Sequence, residues 1–394
     1  MKPFAADVQP GIHALLTTHT DWLAGKRVGL VSHMAAVDTL GRSTAQRLHA
    51  HKECTLVNLM GPEHGYFGNA TAGEHVQNRQ HPTLNIPVHS LYGKTRKPSA
   101  DMLADIDTIV VDLQDLGVRC YTYVSTLRLV LECAAEFGKT VIVADRPIPF
   151  PNTIDGTMLN PDLASFVASM PMPFVYGMTP AEAARWIVDT LALDVTLHVA
   201  PMQGYARNPN RACMPVPWIP PSPGIVSWES ATCYPSTVFG EALPAIDHGR
   251  CTGLPFQLIG APWMDGIAIA AALEERNVSG TQWYPHPYHL MAGDNKGALV
   301  SGVRFVVNDA KSFKPAETCV AILDVLGDLH GCDTVWNDKN ARPAFFDKLF
   351  GNTELRESLV DGHPPAQITS SWVAPMADFA EQRKRALLYP QPTS

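Results

Sequence analysis

Short apolar runs alternate with amphipathic stretches along the first half of the chain. The runs are rich in β-branched residues and apolar on both faces, which is typical of parallel strands covered by helices. Strands are predicted at Arg27–His33, Cys54–Met60, Ile86–Leu91, Thr108–Leu113, Thr140–Ala144 and Val195–Ala200. Helices are predicted between them at about Thr44–Ala50, Thr122–Phe137 and Met178–Leu191. Repeated strand–helix–strand units imply right-handed crossovers and a doubly wound, mostly parallel α/β sheet.

The pattern changes at a proline-rich stretch that begins at Pro201. Because dense proline excludes both helices and central strands, we predict an extended crossover over residues 206–235. It would separate a first domain, residues 1–205, from a smaller α+β domain, residues 236–394. Two domains suit a chain of 394 residues. The second domain is predicted to contain strands at Pro255–Ile259 and Ala298–Val307 and helices at Gly266–Glu275, Ala316–Leu329 and Met376–Leu388.

Composition narrows the possible partners and location. The formal net charge of −8 argues against nucleic acid or an anionic membrane as the main partner, since both attract basic surfaces. The sequence shows no export signal and no run of about 18 apolar residues, so we expect a cytoplasmic protein. The eight cysteines include no Cys-x-x-Cys pair, which favours free thiols in a reducing compartment over a zinc site.

Polar and charged residues follow the predicted strands where each strand ends. In an open α/β sheet, ligands bind at the carboxyl ends of the strands, so these positions predict a polar cleft. The candidates are Glu63 and His64 after the second strand, Tyr92 after the third, Asp112, Gln114, Arg119 and Tyr121 after the fourth, and Asp145 and Arg146 after the fifth. Tyr123 falls on the apolar stripe of the following helix and is predicted to be a core residue.

Glu63 is the strongest catalytic candidate, because it lies on a glycine-flanked loop where no helix or sheet face requires a carboxylate. Glu74 is the second free carboxylate nearby. For the others a structural role is equally open: Asp112 as a helix cap or ion-pair partner, Asp145 and Arg146 as a salt bridge. His64 also suits a supporting hydrogen-bonded role. No dinucleotide, Walker, nucleophile-elbow or His-Glu-x-x-His motif is present, which argues against those chemistries.

The loops resemble those of the NamZ-like exo-β-N-acetylmuramidases, a glycoside hydrolase family formerly catalogued as a domain of unknown function. The resemblance covers nearly the whole chain in order. It rests on the segments GPEHGYFG…AGEHV (61–76), IPVHSLYG (86–93), DLQDLGVRCYTYVSTL (112–127), VIVADRP (141–147), YGMTPAE (176–182), PSPGI (221–225), YPSTVFGEA (234–242), GRCTGLPFQLIGAPW (249–263) and GVRFVV (302–307).

The resemblance implies a Rossmann-like first domain, a smaller α+β second domain and a cleft between them. It implies release of the terminal, non-reducing β-1,4-linked N-acetylmuramic acid (MurNAc) from peptidoglycan fragments in cell-wall recycling, without a cofactor or metal. Glu63 becomes the expected catalytic acid. The residues expected to hold the sugar are Asp112, Gln114, Arg119, Tyr121 and Arg146, with Arg119 and Arg146 as a bidentate grip for the lactyl carboxylate.

Several alternatives stay open. The second catalytic group is Glu74, a strand-end aspartate or the substrate's own 2-acetamido group. The function is that of the muramidase, a hydrolase of another amino sugar, or a non-catalytic muropeptide sensor. The sequence leaves the oligomeric state undetermined. It also departs from the family pattern at Val31–Met34, at Cys251 in the usual Gly-Arg-Gly-Thr, and by an inserted residue between Glu241 and Gly249, which concerns substrate range more than fold.

Overall fold

The computed structural model describes residues 8–208, 214 and 217–390 of the chain. Its strands are β1 (Lys26–Ser32), β2 (Cys54–Gly61), β3 (Arg79–Gln80), β4 (Pro87–Ser90), β5 (Thr108–Asp112), β6 (Thr140–Ala144), β7 (Asp155–Met158), β8 (Pro173–Val175), β9 (Leu197–Ala200), β10 (Leu258–Ile259), β11 (Thr281–His289) and β12 (Leu299–Val307). Its α-helices are α1 (Gly11–Leu15), α2 (Thr44–His49), α3 (Ala100–Leu103), α4 (Tyr123–Glu136), α5 (Pro180–Thr190), α6 (Trp228–Thr237), α7 (Gly266–Glu275), α8 (Pro315–His330), α9 (Cys332–Trp336), α10 (Pro343–Phe350), α11 (Glu354–Val360), α12 (Pro365–Ser370) and α13 (Val373–Arg383).

The first half forms a sheet with strand order β3-β4-β2-β1-β5-β6-β9. All neighbours pair in parallel except β3, which runs antiparallel to β4. The chain enters at β1, extends outward through β2 and β4, and returns to the other side of β1 at β5. The strand order therefore reverses between β1 and β5, and the predicted doubly wound α/β fold is confirmed.

The predicted helices of this half are confirmed as α2, α4 and α5, each within about two residues of its predicted ends, whereas α1 and α3 were not predicted. In α4 the buried side chains Tyr123, Leu127, Val130 and Leu131 form one apolar stripe. Helix α5 begins with a complete capping box, since the Thr179 side chain accepts from the Glu182 backbone and Glu182 returns the contact. The capping box can be predicted from the sequence because it satisfies N–H groups at the helix start with residues that are close in the chain.

The second half contains a small antiparallel sheet with strand order β10-β12-β11, packed against α7 and other helices. Strand β11 was not predicted, because Pro285 and Pro287 interrupt its pattern. It lies at the sheet edge, where proline is tolerated. Part of the predicted crossover folds as α6. Pro209, Cys213 and Pro215 of that stretch lie outside the described residues, and the domain limits stay a prediction.

One large hydrophobic core runs through both halves of the chain. It joins Val111 and Leu131 of the parallel-sheet half to Val320 of α8 and Phe346 of α10. The two halves therefore pack against each other through this core, which fixes their relative position. Within the described ranges, no helix combines the length and apolar character needed to cross a bilayer.

Candidate active site

A pocket of about 660 Å³ opens where the loops after β2 and β4 meet the start of α4 and residues from the second half. Its charged and aromatic lining residues are Glu63, Arg96, Glu241, Arg250, Arg342 and Lys348, with Tyr92, Tyr121, Phe166, Tyr234, Phe256 and Phe345. Another pocket of about 570 Å³ lies among the C-terminal helices and contains none of the predicted site residues. The first pocket is therefore the candidate active site.

Glu63 reaches this pocket from a turn at the end of β2, where the Gly65 N–H donates to the Pro62 carbonyl at 2.9 Å. His64 and Gly65 both have left-handed backbone, with φ of 69° and 75°. At Gly61 a Cβ atom would lie 2.3 Å from the Tyr66 nitrogen, so only glycine fits there. This tight turn directs a mostly buried carboxylate, 8% exposed, into the pocket.

Two hydrogen bonds hold the Glu63 carboxylate. The Gly73 N–H donates to Oε1 at 3.0 Å, and the Thr122 hydroxyl donates to Oε2 at 2.6 Å. Thr122 occupies the N-cap position of α4 but makes no side-chain cap bond there. Its hydroxyl is thus available to Glu63, and it can also accept a hydrogen bond from a hydroxyl group. No ion pair engages Glu63 in the described part of the chain.

His64 and Tyr92 lie beside Glu63 and line the pocket, as predicted. His64 Nδ1 lies 2.9 Å from the Ala70 carbonyl oxygen, and burial lowers the pKa of His64 although Glu63 opposes this. Burial, followed by the charge of Glu63, raises the pKa of Tyr92. Both neighbours are therefore neutral hydrogen-bonding groups near neutral pH.

Tyr121 also lines the pocket, while Tyr123 is a buried α4 residue, as the sequence predicts. The two rings lie 4.7 Å apart. The Tyr123 hydroxyl donates to the Pro221 carbonyl at 2.7 Å and so connects α4 to the proline-rich stretch. Burial raises the pKa of Tyr121.

The structure does not bring Asp112 and Arg146 to the pocket, and their prediction as substrate ligands is wrong. They form a buried bidentate ion pair, exposed by 1% and 0%, with Arg146 Nη2 at 3.1 Å from Asp112 Oδ2. Thr44 donates to Asp112 at 2.5 Å, and Arg146 also donates to the Val37 carbonyl at 3.0 Å. A buried structural ion pair thus occupies the point where the strand order reverses.

Asp145 and Gln114 are likewise structural, contrary to their assignment as sugar ligands. Asp145 is fully buried and accepts from the Thr179 hydroxyl at 2.8 Å and the Ala181 N–H at 2.9 Å, so it caps α5. The Gln114 amide donates to the Pro147 carbonyl at 2.8 Å. Each side chain forms hydrogen bonds with backbone groups near a strand end. In the sequence, a polar residue with this structural role cannot be distinguished from one that binds a ligand.

Arg119 is another correction, because its guanidinium is 0% exposed and bonds only backbone carbonyls. It donates to Thr157 at 3.0 Å, to Met172 at 2.5 Å and to Phe350 at the end of α10. Arg119 therefore joins the β7–β8 hairpin to the second half. It is not available to a substrate carboxylate.

Glu74 lies outside the pocket lining, and its exposed carboxylate accepts from the Thr71 N–H and the Thr71 hydroxyl, both at 2.9 Å. These hydrogen bonds, that of the backbone first, lower the pKa of Glu74. Glu74 thus organises the loop whose Gly73 N–H holds Glu63. This geometry does not support a direct catalytic role.

The second carboxylate of the pocket is Glu241, which the sequence analysis did not select. Its Oε1 accepts from Arg250 Nη1 at 2.5 Å. Burial raises the pKa of Glu241, Arg250 and Arg342 oppose this, and the charge of Glu63 raises it further. Glu241 and Arg250 lie in two segments that resemble the family, 234–242 and 249–263. No local pattern in these segments indicates that they line the same pocket as Glu63.

Cys251 stands where the family pattern has glycine. Its backbone is left-handed, with φ of 64°, a conformation that glycine adopts without strain. The departure noted in the sequence therefore falls directly beside Arg250, the partner of Glu241. Among the described residues, no group of three or more His, Cys, Asp or Glu side chains is arranged to hold a metal.

Family models match both halves of the chain. Residues 28–229 match the model described as exo-beta-N-acetylmuramidase NamZ, N-terminal, and residues 232–389 match the corresponding C-terminal model. The boundary between them lies within α6. The peptidoglycan beta-N-acetylmuramidase NamZ of Bacillus subtilis (strain 168) is 34% identical over 383 residues, which cover 97% of this chain and 91% of that protein.

Two solved structures from Bacteroides fragilis NCTC 9343 share the fold, and both are described as DUF1343 family proteins. One has a TM-score of 0.89 at 31% identity and covers 98% of this chain and 99% of its own. The other has a TM-score of 0.77 at 25% identity and covers 98% and 100%. Solved structures therefore share the fold over 98% of this chain.

Proposed function

The chain belongs to the NamZ family of exo-beta-N-acetylmuramidases and is a glycoside hydrolase, and from this premise we propose how its pocket releases MurNAc from the non-reducing end of peptidoglycan fragments. Hydrolysis of a glycosidic bond requires an acid for the leaving oxygen and a second group at the anomeric carbon. The substrate is a small carbohydrate. The pocket supplies one candidate for each of the two roles.

The observation that carries the proposal is the position of Glu63. It is a mostly buried carboxylate directed into the pocket, held by Thr122 and Gly73 and paired with no described cation. A carboxyl group that faces the pocket without an ion-pair partner is free to contact the departing oxygen of a bound sugar. We assign Glu63 as the proton donor to the departing oxygen.

Glu241 is our candidate for the second group. Burial raises its pKa, and the ion pair with Arg250 opposes this by favouring the ionised form. We therefore assign Glu241 the role of base or nucleophile. Its Oε2 accepts no hydrogen bond from the described residues, so that oxygen is available to water or to the anomeric carbon.

The direct test is product analysis. Purified protein incubated with MurNAc-β-1,4-GlcNAc should release free MurNAc and GlcNAc in equal amounts, detected by mass spectrometry. Longer fragments should lose MurNAc from the non-reducing end only. A panel of chromogenic amino sugars serves as the control: cleavage of another sugar with the disaccharide left intact would indicate a different hydrolase, and binding without cleavage would indicate a sensor.

We also propose a cytoplasmic location, where imported fragments would be the substrates. Support comes from the thiols, since the seven described cysteines are free, and Cys251 is exposed. We expect all of them to react with a thiol reagent after denaturation without a reductant, in protein from the native host. Recovery of the native protein outside the cytoplasmic fraction would contradict the proposal.

A further inference from the structure

Arg96 reaches the pocket from the loop after β4 and lies over two aromatic rings. Its guanidinium carbon is 4.5 Å from the centroid of the Tyr92 ring and 4.4 Å from that of Phe166. The rings themselves are 5.7 Å apart. Contact with two ring faces restricts the orientation of a guanidinium while leaving its N–H edge for other partners. Arg96 is thus an oriented cation in an otherwise exposed position.

The other pocket cations differ in what they contact. Arg250 is paired with Glu241, and Arg342 donates to the Glu241 carbonyl and lies over the Phe345 ring. For Arg96 and for Lys348 on α10, no carboxylate partner occurs in the portion of the chain that the structure describes. Two positive charges, one from each half of the chain, therefore line the pocket without an anion.

Arg96 lines the same pocket as Glu63. The Tyr92 ring, which Arg96 contacts, also lines that pocket. A sugar bound with its glycosidic oxygen at Glu63 would place its ring substituents within reach of this loop. MurNAc differs from GlcNAc by one such substituent, a lactyl ether with a carboxylate.

We propose that Arg96, assisted by Lys348, binds the lactyl carboxylate of MurNAc and determines selectivity for this sugar. The inference rests on the proposed function and replaces Arg119 and Arg146, which the fold buries. A guanidinium forms two parallel N–H···O bonds with a carboxylate, and Lys348 adds a compact charge. Neutral amino sugars lack this contact.

The test compares 4-nitrophenyl β-MurNAc with the same glycoside carrying a lactyl carboxamide, which has the same shape without the charge. The wild-type protein should favour the acid in kcat/KM. Arg96→Met should lower kcat/KM for the acid about 10- to 100-fold, as expected for one charge-assisted hydrogen bond, and leave the amide nearly unchanged. Lys348→Met should act in the same direction with a smaller effect.

Arg79→Met is the matched control, because Arg79 lies 5.2 Å over the Phe67 ring but does not line this pocket. It should keep the preference for the acid. The ratio of the two kcat/KM values is measured within one protein sample, so partial misfolding cannot imitate the result. Equal losses on acid and amide in Arg96→Met would overturn the proposal, whereas a wild-type protein that cleaves neither glycoside, nor the disaccharide, would overturn the proposed function instead.

Discussion

Glu63→Gln should fold normally, bind MurNAc-GlcNAc and lose between about 100- and 10,000-fold in turnover, the usual contribution of general acid catalysis. Glutamine keeps the shape of the side chain and can still accept from Thr122 or Gly73, but it has no proton to give to the departing oxygen. The measurement is the rate of MurNAc release under saturating disaccharide. Thermal melting of the variant serves to check the fold.

The leaving group gives this prediction its sharpest control. A 4-nitrophenolate leaves with little protonation, so the loss on 4-nitrophenyl β-MurNAc should be much smaller than on the disaccharide. Glu74→Gln is the matched variant, because the amide oxygen of glutamine can still accept from Thr71 and keep the loop in place. Surface changes of this kind usually alter stability by about 0.5 kcal/mol or less, so its turnover should stay close to that of the wild type. Equal losses on both substrates would mean that Glu63 is a binding residue, and a large loss in Glu74→Gln would reinstate Glu74.

Glu241→Ala should also reduce turnover by at least about 100-fold, because the group that acts at the anomeric carbon is removed. Sodium azide should then restore activity on 4-nitrophenyl β-MurNAc. Azide attacks the anomeric carbon in the vacated space, the bond to the nitrophenolate oxygen breaks, and α-MurNAc azide forms. Nuclear magnetic resonance identifies that product and its anomeric configuration.

The stability of the variant needs a separate check, since Arg250 loses its partner. Glu241→Gln keeps an acceptor for Arg250, and we expect its turnover to be low as well. Azide should not restore its activity, because the glutamine side chain fills the space that azide would occupy. Turnover of Glu241→Ala near the wild-type value would contradict the assignment. The substrate's 2-acetamido group would then be the next candidate for the nucleophile.

The sequence by itself determined the parallel sheet and the loop that carries Glu63. Strands such as β5 and helices such as α5 depend on local patterns: apolar faces, a capping box, a proline at a helix start. The Pro62–Gly65 turn is also local, because the glycines that flank it permit its backbone. These features could be predicted since their energies come from residues close together in the chain.

The tertiary structure decided which charged residues meet the substrate. Asp112 and Arg146 are separated by 34 positions, and only the sheet brings them into a buried pair. Arg119 donates to the Phe350 carbonyl, which is 231 positions away. Glu241 lines the same pocket as Glu63 only because the second half packs against the first. A strand-end charge looks the same in the sequence whether it faces a ligand or a carbonyl group. Packing between distant segments decides which of the two occurs, because a buried charge needs an ion-pair or hydrogen-bond partner inside the fold.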